Sequence, residues 1–378
     1  VAAVLAGVSG WLYAYMQRFV NPTPFGLQMG IEYLFMAVMG GAGSIFGSLM
    51  GAGVVTILKQ QLQDILPHLL GQSGNFESIV FGALMLLVLA RANGGIWPFL
   101  SRFLPAGVPM ANGLRNARPL PRSAGMAGGS DKLLRIAKAT KTFGGLTAVN
   151  EVSFDVNKGE IVALLGPNGA GKSTLFHLIS GVLLPCGGQV QLGGIRIEGL
   201  PSRQIARLGL ARTFQHVKLV PGLSVLENVA MGCFLRGRGG WLRAMLRLNR
   251  GEEAAIREEA LKQLQRCGLA ELAHEQAGNL ALGKQRIVEI ARALCGDPVL
   301  LLLDEPAAGL RHREKEELAV LLDALRQENM TTLIVDHDMD FIMKISDRLV
   351  VMQFGQKIAE GAPASVRNNS TVREAYLG

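Results

Sequence analysis

The chain has 378 residues, of which 49% are hydrophobic, 18% charged and 6% aromatic, and its formal net charge is +8. This length allows two or three domains with separate cores, and the hydrophobic fraction is too high for an ordinary soluble protein and too low for a chain that lies wholly in a membrane. The basic residues are not interleaved with aromatic ones, so we expect no nucleic-acid partner and attribute the positive charge to a membrane surface.

The first hundred residues are the most apolar part of the chain. Residues 1–17 carry no charge, and the uncharged stretch Tyr33–Leu58 is long enough to cross a hydrocarbon core of about 30 Å. A third apolar run, Ser78–Ala90, is short for a span unless its flanks extend it. The pattern predicts that residues 1–104 form an all-α transmembrane segment of two to three helices. Because the chain begins with Val inside an apolar run, we expect upstream sequence to be missing.

Glycines interrupt the second of these stretches. Gly43, Gly47 and Gly51 recur every fourth residue, a spacing that places small residues on one helical face and permits close helix packing. The neighbouring pair Gly40 and Gly41 equally permits a bend or a re-entrant segment. The sequence leaves both alternatives open.

The composition then changes twice. Residues 105–130 contain several prolines, glycines and arginines and no acidic residue, which is typical of a flexible linker on the cytoplasmic side of a membrane. We assign residues 105–131 to this linker and residues 132–378 to an α/β domain with a helical subdomain at about 224–294. The four cysteines of the domain, Cys186, Cys233, Cys267 and Cys295, lack the spacing of a zinc site or a disulfide framework.

Several apolar runs in this domain predict strands. Leu133–Ala137 and Val152–Val156 alternate as half-buried strands do, whereas Ile161–Leu165, Val299–Leu303 and Thr331–Val335 are nearly continuously apolar. Continuous apolar runs of this length are typical of central strands in a parallel sheet that is covered on both faces.

One stretch of nine residues carries the most specific chemistry in the chain. It reads Gly166, Pro167, Asn168, Gly169, Ala170, Gly171, Lys172, Ser173 and Thr174, and it matches G-x-x-x-x-G-K-[ST] between a predicted strand and a predicted helix. Its glycines let successive N–H groups curl around a phosphate, and the helix that follows adds its positive end. We expect Lys172 to reach the β- and γ-phosphates of ATP and the Ser173 hydroxyl to bind Mg²⁺.

Two carboxylates follow a second apolar strand, Leu300–Leu303. Asp304 ends the strand, where Mg²⁺ would find an oxygen ligand near the phosphates, usually through water. Glu305 is then placed to orient and deprotonate a water for attack on the γ-phosphate. A pair of acids that merely caps the next helix is the structural alternative.

Six motifs in this order resemble the nucleotide-binding domain of the ATP-binding cassette (ABC) transporters. They are the phosphate loop, Arg212–Gln215, Leu280–Arg286, Asp304–Glu305, Ala307–Leu310 and Val335–His337. The resemblance covers residues 132–378 and implies a P-loop NTPase fold: an ABC-type RecA-like α/β core, an antiparallel β subdomain and a helical subdomain. The details resemble most closely the branched-chain amino acid uptake branch, and residues 1–104 resemble the C-terminal part of the permease of that branch.

The resemblance also implies roles for individual residues. Gln215, Glu305 and His337 would be catalytic: Gln215 senses Mg²⁺ and the attacking water, and His337 contacts the γ-phosphate. Metal ligation would fall to Ser173, Gln215 and Asp304. Phe143 matches the aromatic that stacks on adenine through its π face, although an aromatic residue at this place could equally belong to the core.

The family signature corresponds to Leu280, Ala281, Leu282, Gly283, Lys284 and Gln285. In the proteins that this chain resembles, the signature contacts ATP bound on the opposite subunit, and Gly283 and the following helix could supply N–H donors to that phosphate. Ala281, Leu282 and Lys284 stand where serine, an aromatic residue and glutamine are more usual. Arg311, in the loop after Glu305, is also unusual.

The sequence thus predicts an ATPase that powers the import of branched-chain or related amino acids, with ATP and Mg²⁺ as cofactors. The expected partners are a second ATPase subunit, membrane permease subunits and a periplasmic or extracellular solute-binding protein. The expected location is a bacterial inner membrane, with the ATPase on its cytoplasmic side. An importer of another small solute such as urea or an amide, and a catalytically weak ATP-binding scaffold for a permease, are the alternatives.

Overall fold

The computed structural model describes residues 2–19, 21, 26–41, 45–70, 82–83, 86, 95–97, 120–121, 131–237 and 250–377. The chain forms two compact units, Val1–Gly113 and Leu114–Gly378. The described residues of the first unit are mainly helical, and the second unit combines two β-sheets with helices.

The first unit contains the helices α1 (Ala2–Gln17), α2 (Leu27–Gly40) and α3 (Ile45–Leu70). α2 and α3 pack so closely that a Cβ atom on Gly40 would lie 1.8 Å from the carbonyl oxygen of Gly47. The contact therefore requires glycine, as the small-residue spacing predicted. A salt bridge of 2.9 Å between Glu32 and Lys59 also joins the two helices.

Residues Tyr33–Leu58 belong to two helices, α2 and α3. α2 ends at Gly40, and Gly41 has a φ of +116°, a left-handed conformation that favours glycine. The interruption that the sequence left open is therefore present, and Gly40, Gly47 and Gly51 serve the packing of α2 against α3.

The predicted transmembrane spans are not found. Among the described residues no helix is both long enough and apolar enough to cross a membrane. Most of the third run, Ser78–Ala90, lies outside the described residues.

The second unit is built on ten strands within its described residues. They are β1 (Lys132–Phe143), β2 (Leu146–Asn157), β3 (Ile161–Leu165), β4 (Gly187–Leu192), β5 (Ile195–Arg196), β6 (Leu210–Arg212), β7 (Leu300–Asp304), β8 (Thr331–Val335), β9 (Arg348–Gln353) and β10 (Gln356–Gly361). One sheet is antiparallel with the order β2-β1-β4-β5, and the other has the order β10-β9-β3-β8-β7-β6. In the second sheet every pair is parallel except β10 with β9.

The helices of this unit are α4 (Lys172–Ile179), α5 (Ser202–Arg207), α6 (Val225–Ala230), α7 (Arg250–Arg266), α8 (Leu282–Leu294), α9 (His312–Gln327), α10 (Met339–Ile345), α11 (Pro363–Arg367) and α12 (Ser370–Leu377). α6, α7 and α8 lie in the predicted helical stretch. The strands β3, β7 and β8 are buried at every residue, which confirms the interpretation of the three continuous apolar runs as central strands.

The central strand β3 divides the core in two. Ile161, Ala163 and Leu165 belong to a cluster that includes side chains of α8, α9 and α10. Val162 and Leu164 belong to a second cluster with the antiparallel sheet and α4. The core is divided because successive side chains of a strand point to opposite faces of the sheet. Packing on both faces holds the end of β3, where the phosphate loop begins.

Two residues of the predicted linker are anchored on this unit. Leu120 is buried in the core cluster that contains Ile161 and side chains of α8, α9 and α10. The Arg236 Nε donates a hydrogen bond of 3.0 Å to the carbonyl oxygen of Pro121. Another guanidinium nitrogen of Arg236 donates to the carbonyl oxygen of Cys295 at 2.9 Å. The composition of the linker gave no sign of this attachment.

Candidate functional site

The phosphate loop runs from the end of β3 to the start of α4, and two glycines fix its path. Gly166 has a φ of +153°, and a Cβ there would lie 2.2 Å from the carbonyl oxygen of Met352. Gly171 has a φ of +96°, and a Cβ there would lie 2.2 Å from the carbonyl oxygen of Ala148. The loop can therefore keep this shape only with glycine at both positions.

Lys172, the first residue of α4, folds back over the loop. Its Nζ donates hydrogen bonds of 2.7 and 2.9 Å to the carbonyl oxygens of Gly166 and Pro167. Burial lowers the pKa of Lys172, and the negative charge of Glu305 opposes that shift. The ammonium group is thus held at the concave side of the loop, where phosphate oxygens could replace the two carbonyls.

Asp304 ends β7 as predicted, and the structure gives it a partner that the sequence did not predict. A guanidinium nitrogen of Arg212, on the neighbouring strand β6, donates to Asp304 Oδ2 at 2.7 Å. Another nitrogen of Arg212 donates to the Ser180 hydroxyl at 2.9 Å. Both charged side chains of the pair are nearly buried. The arginine therefore fixes the rotamer of the carboxylate.

The donor set fits Mg²⁺. Its candidate ligands are the Ser173 hydroxyl at the start of α4, the Asp304 carboxylate and the Gln215 amide, and oxygen atoms are the ligands that this hard cation prefers. The hydrogen bond from Arg212 uses Oδ2 of Asp304, which leaves Oδ1 for a water-mediated contact. When bound, the ion would neutralise phosphate charge.

The three predicted catalytic side chains are brought together at the end of β7. Gln215 Nε2 donates a hydrogen bond of 3.0 Å to Glu305 Oε2, and His337 Nδ1 lies 3.9 Å from the same oxygen. Glu305 has a φ of +49°, which is strained for a non-glycine residue. Its backbone N–H donates to the carbonyl oxygen of Val335 at 2.7 Å, so β8 holds the strained residue in place.

Sequence reasoning missed Asp336, which organises the loops around this cluster. Its carboxylate accepts three backbone N–H bonds, from Ala307 at 2.9 Å, His337 at 2.8 Å and Asp338 at 3.0 Å. Burial raises the pKa of Asp336, although these N–H donors act in the opposite direction. The carboxylate thus ties the loop after Glu305 to the loop that carries His337. An acid directly before the motif histidine was the available signal.

Phe143 lies at the end of β1, and its side chain is exposed. The Lys141 Nζ is 5.2 Å from the centroid of its ring, within the range of a cation–π contact. The ring therefore does not belong to the core.

The signature segment forms the start of α8. Ala281 is the N-cap residue, and no side chain caps the helix there. A Cβ on Gly283 would lie 2.7 Å from a carboxylate oxygen of Glu314, so α9 leaves no room for a larger residue. Gln285 Nε2 donates to the carbonyl oxygen of Leu280 at 2.8 Å. In the described part of the chain, no hydrogen bond joins this segment to residues 166–174.

A glycine-rich loop between a buried parallel strand and a helix, with an acid pair at the end of another parallel strand of the same sheet, defines a P-loop nucleotide-binding cassette. The ABC transporter family profile matches residues 149–308. The profile of the branched-chain amino acid ATP-binding cassette transporter matches residues 356–378, and that of the permease component of branched-chain amino acid transport systems matches residues 1–89.

Curated relatives agree with these matches. The high-affinity branched-chain amino acid transport ATP-binding protein LivG of Escherichia coli is 44% identical over 253 residues, which are 66% of this chain and 99% of that protein. BraF of Pseudomonas aeruginosa, with the same description, is 41% identical over 253 residues and is likewise covered to 99%. The chain belongs to the ABC transporter family, as an ATPase of the branched-chain amino acid branch with permease sequence ahead of the cassette.

Solved structures show the same fold. The ADP conformation of MJ1267, an ATP-binding cassette of an ABC transporter, is 32% identical, with a TM-score of 0.58 over 66% of this chain and 100% of that one. The dimeric post-hydrolysis state of the cassette MJ0796, bound to ADP and Pi, is 28% identical, with a TM-score of 0.52 over 61% of this chain and 99% of that one. The expected ABC cassette fold is thereby confirmed.

Proposed function

We propose that this chain hydrolyses ATP at the cluster of Gln215, Glu305 and His337, and that the hydrolysis drives the import of branched-chain or related amino acids. The observation that carries the proposal is the hydrogen bond between Gln215 and Glu305, which lies where the strand β7 ends beside the phosphate loop. Relatives at more than 40% identity that are described as branched-chain amino acid transport proteins support the choice of solute.

The proposed chemistry divides into binding and hydrolysis. Residues 166–174 bind the phosphates of ATP through backbone N–H groups and Lys172, and Phe143 stacks on the adenine. Ser173, Gln215 and Asp304 hold Mg²⁺. Glu305 accepts the proton of the attacking water, and His337 contacts the γ-phosphate.

The proposed assembly pairs two cassettes. Leu280–Gln285 of one subunit contacts the ATP held by the other, so a monomer lacks half of each site. The partners are a second cassette, permease subunits and a solute-binding protein, at a bacterial inner membrane with the cassette on the cytoplasmic side. Residues 1–104 are the permease part and residues 105–131 the linker; the match of residues 1–89 to a permease profile supports the first of these assignments.

The test is Glu305→Gln in the full chain. The variant should bind ATP as the unaltered protein does and release phosphate at least about a hundred times more slowly, because the amide cannot accept the proton. Equal phosphate release from both proteins would reject the role of Glu305. Vesicles that contain the assembled complex should accumulate labelled leucine only with the unaltered chain; accumulation of urea and not leucine would reject the solute.

A further inference from the structure

The loop that carries Gln215 has little secondary structure of its own. It follows the three-residue strand β6, and residues 213–224 lie outside any helix or strand. Gln215 nevertheless lies close to the acid, with its amide nitrogen 3.0 Å from Glu305 Oε2. Contacts from outside the loop must therefore supply this order. Strand β7 and Asn228 of α6 hold Thr213 and Val220, and α8 holds residues 214, 215 and 218 between them.

Arg286 makes the central contacts. This residue lies one turn into α8 and is 7% exposed. One guanidinium nitrogen donates to the carbonyl oxygen of Phe214 at 3.0 Å, and another donates to the carbonyl oxygen of Gln215 itself. A planar guanidinium can satisfy two adjacent carbonyls in one fixed geometry, which a lysine ammonium cannot reproduce.

Two further side chains of α8 hold the middle of the loop, at Lys218. Glu289, which is 2% exposed, accepts a hydrogen bond of 2.8 Å from the backbone N–H of Lys218. Arg292 donates to the carbonyl oxygen of Lys218 at 2.7 Å and to Glu289 Oε1 at 3.2 Å. Arg286 lies 3.6 Å from Glu289 Oε2. The carboxylate thus sits between two arginines, and all three groups face the loop.

We propose that Arg286 is a positioning residue for ATP hydrolysis: it holds Gln215 against Glu305, and Glu289 and Arg292 brace the same loop at Lys218. α8 begins in the signature segment at Leu282, so one rigid helix carries both the signature and the support of Gln215. Movement of the signature upon binding to the nucleotide of a partner cassette is then passed to Gln215 through the guanidinium. This inference rests on the proposed function.

The contacts also explain why these charges are buried. An arginine or glutamate inside a protein costs free energy unless it is paired and hydrogen-bonded. Here the charged groups find main-chain partners in an irregular loop whose carbonyl and N–H groups have no sheet or helix to satisfy them. The contact meets part of the hydrogen-bonding need of both sides, and Arg286 Nε and Glu289 Oε2 are buried without a hydrogen-bond partner among the described residues.

The kinetic test uses Arg286→Met and Arg286→Lys in the full chain. Arg286→Met should lower the kcat of ATP hydrolysis on the order of ten- to a hundred-fold with little change in KM, because a small misplacement of a catalytic group is costly. Arg286→Lys should recover only part of this loss. Arg367→Met, which removes an exposed arginine on α11, is the matched control and should leave kcat unchanged.

A double variant separates positioning from general stability. If Arg286 acts through Gln215, then adding Arg286→Met to Gln215→Ala should lower kcat by no more than about two-fold further. Multiplication of the two single losses would overturn the proposal, because it would show that Arg286 acts independently of Gln215.

Hydrogen exchange gives a readout that does not depend on hydrolysis. In Arg286→Met the amides of residues 214–218 should exchange at least about ten times faster, while those of β3 and β8 stay protected. Unchanged exchange in the loop, or equal acceleration throughout the domain, would overturn the positioning role. If the variant shows faster loop exchange but the unaltered chain hydrolyses no ATP, the contact between Arg286 and the loop is supported and the proposed function is rejected.

Discussion

The replacement of Asp336 by asparagine tests how the loops around Glu305 are held. Asp336 Oδ1 accepts the N–H groups of His337 and Asp338, and Oδ2 accepts that of Ala307. An asparagine can keep the first pair with its amide oxygen. Its NH₂ group would then face the Ala307 N–H, so two donors meet and the link to the loop after Glu305 is lost.

The expected change in stability is a difference of two effects. Loss of a hydrogen bond to a charged acceptor, with a buried donor left unpaired, costs about 1.5–3 kcal/mol. Against this, the amide avoids the cost of a buried negative charge, which is the reason that burial raises the pKa of Asp336. We therefore expect a net destabilisation of about 1–2 kcal/mol at neutral pH.

The pH dependence of stability distinguishes the lost hydrogen bond from the avoided buried charge. Because the pKa of Asp336 is higher in the folded than in the unfolded protein, the carboxyl adds stability at low pH, where it is protonated in both states. The unaltered protein loses that contribution as the pH rises from about the ordinary pKa of Asp, near 3.9, through the raised pKa. Asparagine does not titrate, so the stability gap between the two proteins should shrink across this window.

The assay combines thermal unfolding with phosphate release. Asp336→Asn should lower kcat on the order of ten-fold, because the loop that follows Glu305 is released, and the control Asp340→Asn, at an exposed position of α10, should change neither quantity. An Asp336→Asn protein with unaltered kcat and unaltered unfolding at every pH would refute the reasoning, since the Ala307 contact would then hold nothing.

Three further results are expected. Lys172→Ala should weaken the binding of a fluorescent ATP analogue at least about ten-fold, since no other side chain of the loop carries a positive charge; equal affinity would contradict the placement of the ammonium at the phosphates. Ala281→Ser should raise the unfolding free energy by about 1 kcal/mol through an N-cap hydrogen bond to α8, and an unchanged melting temperature would show that the hydroxyl does not cap. Cys186 is exposed and its hydrogen bonds with Thr142 lower its pKa, whereas burial raises the pKa of Cys267 to about 12; a thiol reagent at a pH of about 8 should therefore label Cys186 first, and Cys186→Ser should remove that fast reaction.

Local patterns predicted the cassette well. The strands β3, β7 and β8 are continuous apolar runs because each is covered on both faces. The residues of each strand are therefore enough to predict its burial. The phosphate loop is equally local: nine consecutive residues provide its glycines, its lysine and its hydroxyls. Gln215, Glu305 and His337 were predicted individually by their motifs, and the structure places their side chains together.

The first unit shows where a local pattern fails. The absence of charge between Tyr33 and Leu58 says nothing about the direction of the chain, and the φ of Gly41 ends α2 in the middle of this stretch. The same glycines then have a different use, since Gly47 faces Gly40 of a separate helix. A helix and a helical hairpin have the same composition, and only tertiary packing distinguishes them.

Local sequence was enough to predict the phosphate loop, the central strands and the side chains that we propose for the nucleotide site, because each prediction depends on neighbours along the chain. The contacts that hold these groups became visible only in the folded chain: Arg212 with Asp304, Asp336 with the N–H of Ala307, and Arg286 with the carbonyl of Gln215. These partners are separated by tens of residues in sequence. Their hydrogen bonds exist because burial leaves a charge or a main-chain group without water, and no local pattern records which distant group will satisfy it.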